Sequence, residues 1–308
     1  MSTRRCTWLA VMALALTLAC SATGVATTIW VVPGESLKAA VEGAEDGDTV
    51  LVAAGGYSGP ENRGIEVLDK SLTVIAEDGP EVTTISLWND DRAFRIIGSG
   101  SETVTIRGFA ITGGSAQGGG AVYVREANLL LEQCYIHHCR APNNPPGTGY
   151  GGGLSVASGA TAQVTSCTFA CNTAQGYFYT PGFGTSIYTG SGASTVVERC
   201  FFADDFSSYM STGALHADGV IFVDCCIFSG GLGVGWNVSG SEYLLADPGV
   251  CGTGTAFPYA PCSDSTCLPE NNPWGSFIGA LQVNCGPCNS PVETTSWGAI
   301  KALYRDSD

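Results

Sequence analysis

The chain has 308 residues, of which 28 are acidic and 13 are basic, and its formal net charge is −15. No three lysines or arginines lie close together, which argues against a nucleic acid or an anionic membrane surface as the partner. The low charged content excludes long charged helices and coiled coils, whereas 42 glycines with abundant Ser, Thr and Val favour β structure with many turns.

The N-terminal residues predict a signal peptide. Two arginines at residues 4–5 precede an apolar run at 8–19, which is too short to span a bilayer, and small residues follow. We therefore expect cleavage after Ala26 and export without residues 1–26. Lipoprotein processing at Cys20 is the alternative, although the three residues before this cysteine make a poor lipobox. No later apolar stretch is long enough to cross a membrane.

The next segment predicts a strand, a short helix and a second strand. TIWVV (28–32) and TVLVAAGGY (49–57) read as strands, and Ser36 is a good N-cap for a helix over 36–44. The apolar residues of this helix fall on one face: Leu37, Ala40, Val41 and Ala44. An amphipathic helix of this kind would cover the open end of a repeat structure.

A phrase of alternating apolar residues recurs through the middle of the chain. Its copies are VTIRGFAI (104–111), LLLEQCYI (129–136), AQVTSCTF (162–169), TVVERCFF (195–202) and VIFVDCCI (220–227). Aligned copies share one column, Phe109, Cys134, Cys167, Cys200 and Cys225. The next inward column is Ile111, Ile136, Phe169, Phe202 and Ile227. The steps of 25, 33, 33 and 25 residues predict a parallel β-solenoid whose coils stack about 4.8 Å apart.

A second phrase supports the same architecture. GGGAVYV (118–124), GGGLSVA (151–157) and GTSIYTG (184–190) are again 33 residues apart and alternate with a period of two. A β-propeller is the main alternative, but its blades need about 40–45 residues. A β-sandwich would not explain the columns that stay in register.

The N-terminal segment resembles the entry cap of the pectin-lyase-like superfamily. The shared motif is a strand, Pro-Gly-x-Ser, a short helix, Gly-Asp-Thr-Val and a strand ending in Gly-x-Tyr. SLTVIAEDGPEVTTI (71–85) resembles the first full coil of these proteins, and LPENNPWGSFIGALQVNCG (268–286) resembles their closing segment. The GGG and x-Cys-x-Phe coils resemble the repeats of polymorphic bacterial outer-membrane proteins. The resemblance implies an all-β, right-handed parallel β-helix, but it implies no single activity, since the superfamily includes lyases, hydrolases and adhesins.

We therefore predict one β-helix domain at residues 27–288. Its predicted parts are an N-terminal cap (27–57), repeat coils (58–230), and degenerate coils with a Cys-rich cap (231–288). The remaining tail, 289–308, has apolar residues at helical spacing, which suits either a sorting or anchoring signal or a terminal helix docked on the solenoid.

Disulfides are allowed in an exported chain. We expect the inner cysteine column to pack as small hydrophobic side chains, and disulfides to form among Cys139, Cys171 and Cys226 instead. Cys139 and Cys171 lie in neighbouring coils and are the best single bridge. Five further cysteines are expected to form disulfides that stabilise the C-terminal cap, and the sequence does not define which of them pair: Cys251, Cys262, Cys267, Cys285 and Cys288.

The candidates for a metal or catalytic site are weak. His138, Cys171 and Asp204 are 33 residues apart and could line up as zinc ligands, but we expect a polar turn ladder and no metal there. Family lyases resemble each other in using clustered Asp for calcium and Arg or Lys as base, which points to Asp204, Asp205 and Arg199. Calcium would be a cofactor only in that case, and no pair of carboxylates is placed convincingly for hydrolysis.

The aromatic loops are the stronger candidate. Loops at 140–151 and 173–184 align so that Tyr150 matches Phe183, and the second loop adds the rings of Tyr177, Phe178 and Tyr179. These rings either stack on sugars or pack as a small satellite core. We predict a secreted or cell-surface scaffold that binds carbohydrate or another surface without catalysis. The alternatives are a polysaccharide lyase or glycosidase and a purely structural protein, and the oligomeric state is left open.

Overall fold

The computed structural model describes residues 25–143, 147–176, 181–203, 213–229, 235–245, 250 and 259–283. These residues include a helix, α1 (Leu37–Gly43), and 3₁₀ turns at Pro60–Asn62 and Pro269–Asn271. The strands, in chain order, are β1 (Thr28–Val31), β2 (Thr49–Val52), β3 (Gly55–Ser58), β4 (Ile65–Leu68), β5 (Leu72–Ala76), β6 (Thr83–Ser86), β7 (Phe94–Ile97), β8 (Thr103–Arg107), β9 (Ala110–Thr112), β10 (Val122–Arg125), β11 (Asn128–Glu132), β12 (Tyr135–His137), β13 (Arg140–Ala141), β14 (Leu154–Val156), β15 (Thr161–Thr165), β16 (Thr168–Ala170), β17 (Thr173–Ala174), β18 (Ile187–Thr189), β19 (Ser194–Glu198), β20 (Phe201–Ala203), β21 (Leu215–Phe228) and β22 (Gly235–Leu245).

Apart from β13 and β17, which pair with each other in a separate two-stranded sheet, the strands stack into three parallel sheets, so the predicted solenoid is confirmed. The first sheet contains β1, β2, β5, β8, β11, β15 and β19. The second contains β3, β6, β9, β12, β16 and β20, and the third contains β4, β7, β10, β14 and β18. The long strands β21 and β22 pass through all three sheets.

Alternating side chains fill the space between the sheets. The central inward column of the first sheet is fully buried and consists of Val50, Val74, Ile106, Leu131, Val164, Val197 and Val223. In the second sheet, Phe169 stacks on Phe202 at 5.2 Å between ring centroids, and Phe202 stacks on Phe228 at 4.7 Å. Each such buried side chain contributes roughly 1.5–3 kcal/mol relative to its exposed state.

The N-terminal helix agrees with the sequence prediction. The Ser36 side chain accepts a hydrogen bond from the backbone N–H of Ala39 at 3.0 Å, which satisfies a free amide at the start of α1. Leu37 and Val41 are fully buried and join the main core. In the described part of the chain, no helix has the length and apolar content to cross a bilayer.

The predicted cysteine column is right at Cys134, Cys167 and Cys200 but wrong at Cys225. Cys200 aligns with Cys226, and Phe202 aligns with Phe228 rather than with Ile227. The reason is the corner between the first and second sheets, where one residue of each coil has a positive φ. This corner column is Gly108, Gln133, Ser166, Arg199 and Cys225, with φ from +50° to +81°. Cys225 occupies the corner, so the inward position passes to Cys226.

The aligned cysteines form a ladder of hydrogen-bonded thiols. The Sγ atom of Cys167 accepts a hydrogen bond from the backbone N–H of Cys134 at 3.4 Å and donates to the carbonyl oxygen of Thr165 at 3.4 Å. Cys200 and Cys226 repeat the pattern in the next coils. Burial raises the pKa of the Cys134, Cys167 and Cys200 thiols, so these side chains stay protonated. The ladder therefore provides both packing and an acceptor for one corner amide per coil.

We expect Cys167→Ala to reduce the free energy of unfolding by about 1–2 kcal/mol, because it leaves the buried amide of Cys134 without its acceptor. Cys167→Ser keeps an acceptor at this position and should cost less. Urea unfolding of both variants measures the difference. If the alanine variant is at least as stable as the serine variant, the sulfur serves only to fill space.

The C-terminal residues lie along the side of the solenoid. In the described segment 259–283, five buried side chains pack on the outer face of the second sheet: Tyr259, Ala260, Cys267, Ile278 and Leu281. The backbone N–H of Gly279 donates to the carbonyl of Arg199 at 2.9 Å, and that of Gln282 donates to the carboxylate of Glu81 at 2.8 Å. These residues therefore run back along the coils instead of crossing the open end.

The predicted disulfides of this segment are only partly found. Cys262 is disulfide-bonded, but Cys267 is a buried free thiol, so its predicted disulfide is wrong. Burial raises the pKa of Cys267 to about 12, which keeps the thiol protonated and unreactive. Cys251, Cys285 and Cys288 lie outside the described residues, as does the predicted tail.

Candidate functional site

Glycines set the position of the loops that lead from the second sheet to the third. Gly119, Gly151 and Gly184 occupy equivalent positions in successive coils and have φ of +65°, +65° and +62°. A Cβ atom at any of them would lie 2.0 Å from a carbonyl oxygen of its own turn. The preceding residues, Tyr150 and Phe183, are held in a parallel β-bridge, which confirms their predicted alignment.

These two rings join others on the outer face of the third sheet. The Tyr150 and Phe183 rings stack at 5.6 Å between centroids, and Tyr150 meets Tyr188 at 4.8 Å with a 50° tilt. Phe183 also contacts the ring of His216 at 4.5 Å. Tyr150, Phe183 and Tyr188 are partly exposed, whereas His216 is buried beneath them. We call Tyr150, Phe183, Tyr188, His216 and Asp218 the aromatic face.

Polar groups of the aromatic face converge on one carboxylate. The Tyr188 hydroxyl donates to Oδ2 of Asp218 at 2.6 Å, and Nε2 of His216 lies 3.2 Å from Oδ1. The Asp218 side chain is 49% exposed and remains accessible to a ligand. Nδ1 of His216 is buried and has no hydrogen-bond partner within the described structure.

The protonation states follow from this geometry. Burial lowers the pKa of His216, although the neighbouring Asp218 carboxylate acts in the opposite direction. Burial and the hydrogen bond to Asp218 raise the pKa of Tyr188. At neutral pH the aromatic face therefore presents a neutral imidazole and a neutral phenol, which lie beside the hydrogen-bonding oxygens of Asp218.

Tyr188, His216 and Asp218 were not among the site residues predicted from sequence. The signal was present, because Tyr188 occupies an outward position of the GTSIYTG strand, and the register pairs it with His216. In earlier coils the same column contains Ser155 and Tyr123. Without the exact coil length, however, His216 and Asp218 could not be placed beside Tyr188.

The other predicted site residues do not join the aromatic face in the described structure. Arg199 lies at the corner between the first and second sheets, with Nη1 3.9 Å from the carboxylate of Glu198. Five further candidates lie outside the described residues: Tyr177, Phe178, Tyr179, Asp204 and Asp205.

The described residues that were weak candidates for metal ligands contact different side chains. His138 and Cys171 occupy the same position in adjacent coils. Nδ1 of His138 lies 2.8 Å from Nδ1 of His137, whereas Sγ of Cys171 lies 2.8 Å from the hydroxyl of Tyr259. Among the residues that the structure describes, no group of three or more His, Cys, Asp or Glu side chains could hold a metal ion.

The predicted bridge between Cys139 and Cys171 is wrong. Cys139 is a buried free thiol, and it aligns with Asn172, whose side-chain oxygen accepts a hydrogen bond from the Cys139 amide at 3.0 Å. Cys171 has φ of +53° and so occupies a corner, as does His138 in the coil before. The two cysteines therefore hold different positions in their coils: Cys139 points inward and Cys171 lies at the turn.

Comparison with known proteins identifies the repeat. Residues 63–246 match the family model described as right handed beta helix region. No curated protein matches the chain. A solved structure of a mannuronic acid specific polysaccharide family 6 lyase from human gut microbiota matches with 13% identity and a TM-score of 0.40. The match covers 66% of this chain and 54% of the lyase, so this chain spans about half the length of that enzyme.

Proposed function

Because the chain belongs to the right-handed β-helix family, we propose that it is a secreted or cell-surface protein that binds carbohydrate at the aromatic face without cleaving it. The observation that carries this proposal is the grouping of three partly exposed rings, one of which, Tyr188, donates a hydrogen bond to the accessible carboxylate of Asp218. The signal peptide predicted at residues 1–26 supports export. The partner would be an extracellular polysaccharide or a cell-surface glycan.

The chemistry of the aromatic face suits a sugar. A sugar ring has apolar C–H faces that pack against aromatic rings, and hydroxyls that need hydrogen-bond partners at its rim. Tyr150, Phe183 and Tyr188 are each partly exposed, so part of their ring surface is available to a ligand. Asp218 is placed to accept a hydrogen bond from a ligand hydroxyl.

The rigidity of the face supports binding as well. Tyr188 and His216 lie on paired strands, and Tyr150 and Phe183 are held by backbone hydrogen bonds to their neighbouring coils. Rings that are already ordered lose little conformational entropy when a ligand arrives. The rigid strands therefore provide a preformed surface.

We expect Tyr150→Ala and Tyr188→Ala each to weaken retention on a glycan array at least tenfold, a loss of about 1.4 kcal/mol in binding free energy. Tyr243→Ala is the matched control, because Tyr243 is a 43% exposed tyrosine on β22 and is not part of the aromatic face. Tyr177 and Tyr179, which were predicted from the sequence as ligand contacts, are replaced by alanine and tested in the same assay. Failure of the wild-type protein to bind any glycan would favour a purely structural role.

A polysaccharide lyase or glycosidase is the second candidate. It is favoured by the network of Tyr188, Asp218 and His216, since these side-chain types serve as acids and bases in catalysis. We propose binding over catalysis because both nitrogens of His216 are withdrawn from solvent, one against Asp218 and one in the interior.

Catalysis would be detected as unsaturated or reducing ends released from pectin, alginate or neutral polymers. We expect no release, with or without calcium, and no cofactor requirement. Release that is lost in Asp218→Asn but kept in Tyr243→Phe would replace the binding proposal with an enzymatic one.

A further inference from the structure

A tryptophan on the same side of the solenoid is exposed at a conformational cost. Trp88 lies between β6 and β7, in the loop that leads from the second sheet to the third, and it is 68% exposed. Its φ is +50°, and Asn89 and Asp91 follow with φ of +61° and +47°. A bulky residue rarely adopts this left-handed conformation, because its Cβ crowds the following carbonyl. Gln133, Ser166 and Arg199 have the same φ at the corners of later coils, so the conformation by itself marks a turn, and the exposure of the ring is what remains to be explained.

The surrounding contacts hold the Trp88 loop firmly. The backbone N–H of Asn89 donates to the carbonyl of Gly113 at 2.6 Å, and the N–H of Ser115 donates to the carbonyl of Asp91 at 2.7 Å. The Arg63 guanidinium pairs with the Asp90 carboxylate at 2.8 Å. The loop backbone is therefore held by hydrogen bonds and an ion pair, while the indole ring that it carries is exposed to solvent. Burial of the ring on the protein does not account for that arrangement.

Three arginines on this side of the solenoid are engaged with other side chains. The Arg63 guanidinium is neutralised by Asp90, and that of Arg95 is neutralised by Glu66 at 2.6 Å. The side chain of Arg92 lies over the Tyr123 ring at 5.1 Å. These three arginines are engaged, whereas Arg140, in the coil of Tyr150, is exposed and donates to the Ser115 hydroxyl at 3.1 Å. The arginines of the described residues therefore offer no cluster of free guanidinium groups to the carboxylates of a uronic acid polymer. The net charge of −15 adds a long-range repulsion.

We infer that Trp88 is a second contact for the carbohydrate proposed above, and that this ligand is an extended, uncharged polysaccharide. The inference rests on the proposed function. Trp88 lies two coils before Tyr150, which is about 10 Å along the solenoid axis at the spacing of paired strands. A ligand that contacts both must therefore extend across several coils.

Affinity gel electrophoresis of the full chain in soluble polysaccharides tests this. The neutral probes are galactomannan, xyloglucan and mixed-linkage glucan, and the acidic probes are polygalacturonate and alginate. We expect at least one neutral polymer, and neither acidic polymer, to retard the wild-type protein. Trp88→Ala should weaken that retardation about tenfold, and Trp88→Phe should restore part of it. Trp30→Ala is the control, because Trp30 is 57% exposed on the first sheet.

The outcomes separate this inference from the proposed function. Retardation by an acidic polymer alone, or unchanged binding by Trp88→Ala while Tyr150→Ala loses binding, would overturn the inference and leave the aromatic face intact as a binding site. Equal losses in Trp88→Ala and Trp30→Ala would also overturn it, since the effect would then be general. Absence of retardation in every polymer would overturn both. Urea unfolding of each variant ensures that only folded protein is compared.

Discussion

Gly152→Ala will reduce the free energy of unfolding by about 3 kcal/mol or more. A Cβ atom at this position would lie 2.2 Å from the carbonyl oxygen of Thr185 and 2.6 Å and 2.7 Å from the backbone O and N of Thr173. These are backbone atoms of the next coil, so they cannot yield without breaking the hydrogen bonds that stack the coils. Urea unfolding followed by tryptophan fluorescence measures the loss.

Gly56→Ala is the matched control for this substitution. Gly56 lies in β3, and a Cβ atom there would meet nothing within 4 Å. Its replacement should change the free energy of unfolding by less than about 1 kcal/mol. Equal stabilities for the two alanine variants would show that the coils separate easily at Gly152, in conflict with the packing described above.

Acidification from pH 7 to pH 4.5 will reduce stability through His137 by up to about 3 kcal/mol. Burial and the neighbouring His138 lower the pKa of His137 from 6.5 to about 3. The unfolded chain therefore binds a proton below pH 6.5, and the folded chain does not bind it until about pH 3. Because the unfolded state binds more protons in this interval, stability is full above pH 6.5 and falls as the pH drops.

The geometry explains why His137 resists protonation. Its ring stacks on Tyr135 at 4.1 Å between centroids, and its Nδ1 lies 2.8 Å from Nδ1 of His138. A charge on the His137 ring would therefore lose hydration in this stacked position and would lie beside the His138 ring. The partial exposure of His137 reduces the effect below the stated limit.

The measurement is the free energy of unfolding at pH 7, 6, 5 and 4.5 for the wild-type protein and His137→Gln. The variant should show a flatter pH dependence, whatever its stability at pH 7. Burial also lowers the pKa of His216, so a residual slope is expected. Carboxylates such as Glu102, whose pKa is lowered from 4.5 to about 2 by hydrogen bonds from Ser99, contribute mainly below this range. Identical slopes in both proteins would rule out His137 as the acid-sensitive group.

The pattern of apolar residues and glycines is enough to predict the solenoid, its N-terminal helix and the alignment of Tyr150 with Phe183. Each inward side chain must be apolar because it faces the interior, so the period of two is visible in a single chain. The recurrence at 33 residues then brings equivalent positions of neighbouring coils together, and the glycines before β14 and β18 mark the same turn.

The residue that turns each corner, and therefore the side chain that faces inward after it, becomes known only from the stacked coils. The corner column contains Gly, Gln, Ser, Arg and Cys, because a left-handed turn at the surface needs a conformation and no particular side chain. Because Cys225 turns the corner, Cys226 takes the inward position that was predicted for Cys225. In the same way, Cys171 turns a corner whereas Cys139 points inward, so the two cysteines do not align. The aromatic face also depends on coil lengths that differ through loop insertions. The outward position of Tyr188 is visible in the sequence, but its meeting with His216 and Asp218 follows from the stacking of whole coils.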